Sequence, residues 1–213
     1  MGYLLWVGTG MKRAFDTALS GVGLLLSSPL WVLFGLAIKL EDGGPIFYSQ
    51  ERVGFGGRNF DALKFRSMRT DAESGVGAVQ AVEDDPRVTR IGRFMRKTAM
   101  DELPQLWNIF RGDMSFVGPR ALRPGEVEAS GSELGTKLVQ IDQIPGYAAR
   151  TAVRPGLTGI AQIYAPRDVP RRQKFRYDRL YVRRQSMSLD LRLILLSFWI
   201  SLLGTWESRG RKY

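Results

Sequence analysis

Between Lys12-Arg13 and Lys39 runs AFDTALSGVGLLLSSPLWVLFGLAI, residues 14–38, in which Asp16 is the only charge. About 18 largely uncharged apolar residues already suggest a membrane helix, and this stretch is longer. It does not read as a cleaved leader, because the apolar part is too long and no small-residue cleavage site follows it. Ser28-Pro29 stands in its middle. Proline removes one helical hydrogen bond and crowds the preceding turn, so a bend is expected there. The Ser28 hydroxyl beside it is placed to satisfy the freed carbonyl inside lipid. Basic residues flank both ends and the remainder is strongly basic, so both ends favour the cytoplasmic side. The expectation is a bent helix that enters and leaves through one leaflet. A straight span and a buried soluble helix are the alternatives.

The rest of the 213 residues suits one compact domain beside this anchor. Three regions are expected: the re-entrant membrane helix over 1–40, a cytoplasmic catalytic domain over 41–188, and a membrane-associated helix and tail over 189–213. Lys and Arg total 31 against 21 Asp and Glu, a net charge of +10. Such a surplus favours an anionic partner, whether nucleic acid, acidic lipid or a phosphorylated substrate. There is no Cys and no His. That removes disulfides, thiol nucleophiles and thiolate or imidazole metal sites. Acid–base or nucleophilic chemistry must therefore use carboxylates, Lys, Tyr, hydroxyls or the substrate itself. A bound metal would need oxygen ligands, which points to Mg²⁺.

Residues 41–70 read as turns and short strands, IFYSQERVG and NFDALKFRSM about a Gly-Gly hairpin. Residues 71–85 read as a polar loop. Over 86–100, Val88, Ile91, Phe94 and Met95 recur at helical spacing opposite a basic face. DELPQLWNIFR, 101–111, reads as a second helix, with Asp101 as N-cap, Pro104 in the first turn and Arg111-Gly112 at the end. MSFV is a strand entering the Gly118-Pro119-Arg120 turn. Residues 124–150 read as a surface helix and loop, and 154–166 as a turn-rich segment. The basic stretch RRQKFRYDRLYVRR precedes LDLRLILLSFWISLLGTW at 189–206. Arg192 interrupts that last run, which is expected to lie on the membrane surface or to pack on the first helix.

Adjacent Asp101 and Glu102 are the strongest chemical signal in a chain without His or Cys. A carboxylate at a helix N-terminus feels the positive dipole end and nearby donors, so its pKa is expected to fall and leave it able to attack. Residues 86–123 hold eight Arg or Lys against three acids, cations suited to a diphosphate and to the charge that builds as it breaks. Two neighbouring carboxylates can also share a Mg²⁺ that bridges to phosphate oxygens. Simple helix capping by Asp101 explains the same spacing.

Several segments resemble the monotopic phosphoglycosyl transferases, also called bacterial sugar transferases. They are KRAFDTALS…SSP, GGPIFYSQERVG, KFRSMRTDAE, DPRVTRIGRFMRKTAMDELPQLWNIFRGDMSFVGPR, RPGLTGIAQ and YDRLYVRRQSMSLDLRLI, in order over nearly the whole chain. The resemblance is to the small, minimal form. It implies an α-rich α/β fold, with a re-entrant helix broken at Ser28-Pro29, a small cytoplasmic catalytic unit and membrane-surface helices. It implies that Asp101 attacks the sugar-bearing phosphorus of a UDP-sugar and releases UMP, and that polyprenol phosphate then attacks the phosphosugar–aspartate. Glu102, the second catalytic residue, would help Asp101 to hold Mg²⁺ and assist with protons. Arg96, Arg120 and Arg154 match positions near the diphosphate or acceptor, and Lys64 and Arg66 match the KFRSM segment. Thr158 and Gln162 are candidates for nucleotide contact, while Gln50 and Arg52 are expected to brace the site. Ile160 stands where the family often has Trp, and YAPRDVPRRQ replaces an Asn-Gly-Arg-like element, so the sugar is left open. The bacterial inner membrane is the expected location, with membrane lipids as partners and either a monomer or a homodimer allowed. A membrane-tethered nucleic-acid module would use the Arg-rich 167–184 stretch. Diphosphate and lipid headgroups account for the same charge, and no nucleic acid is expected.

Overall fold

The computed structural model describes residues 2–72, 85–130, 137–166 and 169–206, with backbone alone for 2–9, 129, 130 and 137. Most of the expected loop at 71–85 lies outside the described residues. Helix α1 runs from Gly2 to Asp42, longer than the apolar stretch at both ends. Within it, Gly10–Asp42 is long and apolar enough to cross a membrane, with a mean hydropathy of 1.9 over its best window. The backbone stays helical across Pro29. Pro29 has no N–H to give to Leu25, and the Ser28 hydroxyl donates to that carbonyl instead, at 2.8 Å. The expected repair of the backbone at Ser28-Pro29 is therefore present.

Helix α1 buries small, polar and aromatic residues on one side and exposes apolar residues on the other. Asp16, Ser20, Ser27, Phe34 and Ile38 recur at three- and four-residue multiples and are buried. Leu25, Leu26, Val32, Leu33, Leu36 and Leu40 face outward, Leu40 at 86% exposure. Small and polar residues turned inward, with Leu and Val turned out, are how helices pack in lipid, where apolar burial alone gives no drive.

Polar side chains of α1 tie it to the rest of the chain. Asp16 accepts from the Phe116 amide at 3.2 Å, and Lys12 pairs with Asp190. Arg13 donates to the carbonyls of Ile109 and Phe110. At the far end Glu41 accepts from the amides of Arg90 and Ile91, at 2.6 and 3.2 Å.

Strands β1 (Phe47–Val53) and β2 (Asn59–Phe65) form the expected antiparallel hairpin, in register from Phe47 opposite Phe65 to Val53 opposite Asn59. Its inner side packs Phe65 against Phe34, Ile38 and Met95. Helix α2 (Arg90–Lys97) begins at Thr89, whose hydroxyl accepts from the Gly92 amide. Met95 of the expected apolar stripe is buried, but Phe94 is 53% exposed. Val88 falls outside the helix and bridges to Met68 as extended chain. Helix α3 (Gln105–Arg111) is shorter than the 101–111 reading and ends at Gly112 in the left-handed region, where glycine avoids the Cβ clash.

Strand β3 (Ser115–Val117) pairs in parallel with a later strand. Residues 124–150 correct the expectation of a surface helix. They form the antiparallel pair β4 (Val127–Ser130) and β5 (Lys137–Gln140), and among the described residues of the stretch only those of helix α4, Tyr147–Thr151, are α-helical. Two four-residue strands are too short to show a clear alternation of period two, so a helix was as good a reading. The turn-rich segment holds β6 (Gly156–Thr158), the partner of β3, and helix α5 (Ile160–Tyr164). Helix α6 spans Arg171–Arg184 and α7 spans Met187–Leu203.

Among the described residues there are three separate two-stranded sheets. The fold is helix-rich and mixed, as expected, without a continuous central sheet. Helix α7 buries Leu193 and Ile200 with Val117, Ile163 and Tyr181, and exposes Leu191, Leu195, Phe198, Trp199, Leu202 and Leu203. Its apolar residues therefore serve two faces, one inward and one outward.

Candidate active site

Asp101 and Glu102 lie in a single 3-10 turn, Met100–Glu102, between α2 and α3. The turn is entered through Ala99, the one non-glycine residue with positive φ, at 56° among those described. That conformation suits glycine and strains other residues. It reverses the chain at the end of α2 and drives Asp101 inward, to 7% exposure.

Asp101 is therefore not the N-cap of α3. That helix starts four residues later, with Pro104 in the cap position and no side-chain cap bond. The expected fall in the Asp101 pKa is corrected with it. Burial pushes the carboxyl up to about 6, against the pull of Lys64 and with the added push of Glu102. For Glu102, burial is outweighed by Lys64 and Arg120, and the group falls to about 2. Two carboxylates that influence each other titrate as a pair. Glu102 carries the charge first and Asp101 ionises last.

Lys64, from β2, contacts Glu102 and stands 4.0 Å from Asp101. Arg120 reaches Glu102 at 3.5 Å while 53% exposed. Arg96 is near enough to draw the Asp101 pKa down. Arg52, Lys64, Glu102, Gln105 and Arg120 line one cleft together with Ala62, Met114 and Leu157. Lys64, Arg96, Arg120 and the acidic pair are thus brought together.

The other expected residues point elsewhere. Arg66 lies beyond the end of β2, buried and paired with Asp42. Arg154 donates to the Gly112 carbonyl at 2.8 Å and covers the Phe55 ring. Thr158 is buried and hydrogen-bonded to Ser197 of α7. Gln162 leans back on the Gly156 carbonyl at 3.4 Å. Gln50 accepts from Arg52, and Arg52 donates to the Ala121 carbonyl at 3.1 Å, the bracing expected of that pair.

Several positioning residues escaped sequence reasoning. Asn108, fully buried, accepts from the Leu63 amide at 3.0 Å and donates to the Asp61 carbonyl at 2.7 Å. It docks α3 on the free edge of β2 and so fixes Lys64 beside Glu102. Its place in DELPQLWN was the available signal. Gly118 and Gly156 face each other so closely that a Cβ on Gly156 would sit 2.0 Å from the Gly118 nitrogen, which brings the Arg120 turn against β6.

A second cleft is formed by α1, the hairpin and the start of α3. Leu24 and Trp31 of α1, Phe47 and Leu63 of the hairpin, and Pro104 and Trp107 enclose about 350 Å³. Its lining is wholly apolar. Leu63 precedes Lys64 on β2, so their side chains stand on opposite faces of the strand, and the apolar and ionic clefts lie on either side of it.

Among the described residues no cluster of three or more potential metal ligands occurs. The donor set at the site is two hard carboxylates. That fits a Mg²⁺ ion, which holds most of its waters and takes its other ligands from substrate phosphates.

A family model described as bacterial sugar transferase matches residues 7–204. The chain is 44% identical over 193 residues to an undecaprenyl-phosphate glucose phosphotransferase of Komagataeibacter xylinus, covering 87% of this chain and 35% of that protein. It is 41% identical over 189 residues to the exopolysaccharide production protein PSS of Rhizobium leguminosarum bv. phaseoli, covering 86% of this chain and 91% of the relative. It is 40% identical over 189 residues to a UDP-glucose:undecaprenyl-phosphate glucose-1-phosphate transferase of Caulobacter vibrioides, covering 86% and 67%. The chain therefore spans about a third of the first relative and nine-tenths of the second.

Proposed function

The chain belongs to the bacterial sugar transferase family, and from that premise we propose that it transfers a sugar 1-phosphate from a UDP-sugar to undecaprenyl phosphate. The observation that carries the reading is the buried Asp101-Glu102 pair, held among Lys64, Arg96 and Arg120. A donor with a diphosphate needs this cationic cleft, and an acceptor with a prenyl tail needs an apolar one, such as that on the other face of β2.

In this reading Asp101 acts as nucleophile. A carboxylate oxygen bonds to the sugar-bearing phosphorus, and the bond from that phosphorus to the bridging oxygen breaks. UMP leaves with the electron pair. A phosphate oxygen of the lipid then attacks the same phosphorus and displaces Asp101. Splitting the transfer lets a soluble donor and a lipid acceptor use the pocket in turn. Lys64 and Arg120, now paired with Glu102, supply positive charge for the diphosphate. Asp101 and Glu102 would hold Mg²⁺, which neutralises phosphate charge when bound. The apolar cleft receives the first prenyl units.

Helix α1 is read as re-entrant, with the catalytic unit on the cytoplasmic face of the membrane. Its outward Leu and Val support embedding, and its basic flanks support the side. Cysteine accessibility near Met1 tests the topology, and protection from a cytoplasmic reagent would exclude re-entry.

The deciding experiment uses the purified full chain with undecaprenyl phosphate and a panel of UDP-sugars, beginning with UDP-glucose. UMP release is expected, and it should stop in EDTA and return with Mg²⁺. Asp101→Asn should abolish both transfer and exchange of labelled UMP into the donor. Full exchange by that variant would remove Asp101 from the nucleophile role.

A further inference from the structure

Four consecutive carbonyls, from Pro119 to Leu122, each receive a hydrogen bond from a residue distant in sequence. The Gly156 amide donates to Pro119 at 2.9 Å, Arg150 to Arg120, Arg52 to Ala121 at 3.1 Å, and the Val53 amide to Leu122 at 2.8 Å. This segment forms no regular element, so its carbonyls would otherwise turn to water. Here strand amides pin two of them and guanidinium groups, that of Arg150 buried, pin the other two.

Arg150 is the unusual donor. Its side chain is 6% exposed, its Nε donates to Asp178 at 3.0 Å, and its guanidinium lies 4.5 Å over the Phe175 ring. Asp178 and Phe175 belong to α6, and Arg150 to α4. The described contacts join it to α6 and to the Arg120 carbonyl, none to the acidic pair. A buried ion pair is a poor source of stability, because desolvation offsets the attraction. A guanidinium fork, however, fixes two partners at a set angle. The arrangement spends a buried charge pair on one backbone oxygen, that of the residue whose side chain meets Glu102.

Resting on the reading that Arg120 meets the donor diphosphate, we propose that Arg150, aligned by Asp178, is a positioning residue for Arg120. It acts through the backbone: with the carbonyl of residue 120 pinned inward, the side chain is aimed at the cleft. Arg150 touches neither donor nor acceptor.

The test is a double-mutant cycle on UMP release by the full chain, with the UDP-sugar that the wild type turns over. Arg150→Lys keeps a cation beside Asp178 but cannot span both partners. It should lower kcat/KM roughly ten- to a hundredfold, the range for a small misplacement of a working group. In an Arg120→Ala background the same change should lower it less than twofold, because nothing is left to aim. Asp178→Asn serves as a second variant should Arg150→Lys fail to fold, and its loss should vanish in the same background. Equal losses with and without Arg120 would make the pair merely structural and overturn the proposal. A wild type that releases no UMP from any UDP-sugar would overturn the transferase reading and this inference together.

Discussion

At the scale of single residues, Asp101 works against its own ionisation. Burial holds its proton up to about pH 6, and Lys64 is the first of the groups that oppose this. The ionised fraction of a group with a raised pKa grows as pH rises through that value, so donor-half activity should climb across pH 5–7. Lys64→Met removes the main stabiliser of the charge and should move that limb to higher pH while raising KM for the donor. A UMP-exchange profile against pH reads both, and an unmoved limb would separate Lys64 from Asp101. Ala99 makes a second residue-scale case. Its left-handed backbone, φ 56°, is one that β-branched residues rarely enter. Ala99→Val should destabilise by about 1–3 kcal/mol and depress activity, whereas Ala99→Gly should leave the melting temperature near the wild-type value. Equal melting temperatures for Val and Gly would show that the turn carries no strain.

Among elements, α1 caps two other helices at their opposite poles. Glu41 takes the free amides at the start of α2, and Arg13 takes the last carbonyls of α3. Each charge matches the end of the helix dipole it meets. The two helices flank the turn that bears Asp101, so the membrane element also sets the spacing of the site. Glu41→Ala should lower stability by about 1 kcal/mol, a fall in melting temperature of about 2–4 °C. It should also weaken turnover through α2, which carries Arg96. Thermal melts in detergent, alongside UMP release, check both effects, and an intact melting curve would make the Glu41 bonds incidental. What sequence could show at this scale followed from reach along the chain. The serine hydroxyl at Ser28 acts within one turn, and the β1–β2 hairpin closes over a few residues, so both were legible. Asp101 gets its environment from Lys64, and Arg120 its aim from Arg150, across 30 or more positions. No local pattern records such meetings. The KFRSM resemblance singled out Arg66, and a motif does not record that, one residue past the end of β2 at Phe65, the side chain pairs with Asp42.

At the scale of the whole molecule, α1 and α7 each carry a run of exposed large apolar residues among the described residues. Basic residues on α6 add attraction to anionic lipid, which salt screens. Washing membranes with 1 M salt or alkaline carbonate should therefore leave the chain in the pellet, while detergent should release it. Release by salt alone would reduce the anchor to surface charge. The reading of 14–38 as a membrane segment needed only hydropathy, yet hydropathy averages around the helix and hides which side is which. That sidedness has an effect on handling. Because α1 keeps serine and aspartate inside and leucine outside, plain buffer is the wrong solvent for its exterior. Stripped of amphiphile, such a helix gains more by rolling over or by sticking to another copy than by staying put. A variant with its outward leucines changed to glutamine should thus become easier to dissolve and harder to keep folded at the bilayer, two properties that usually improve together.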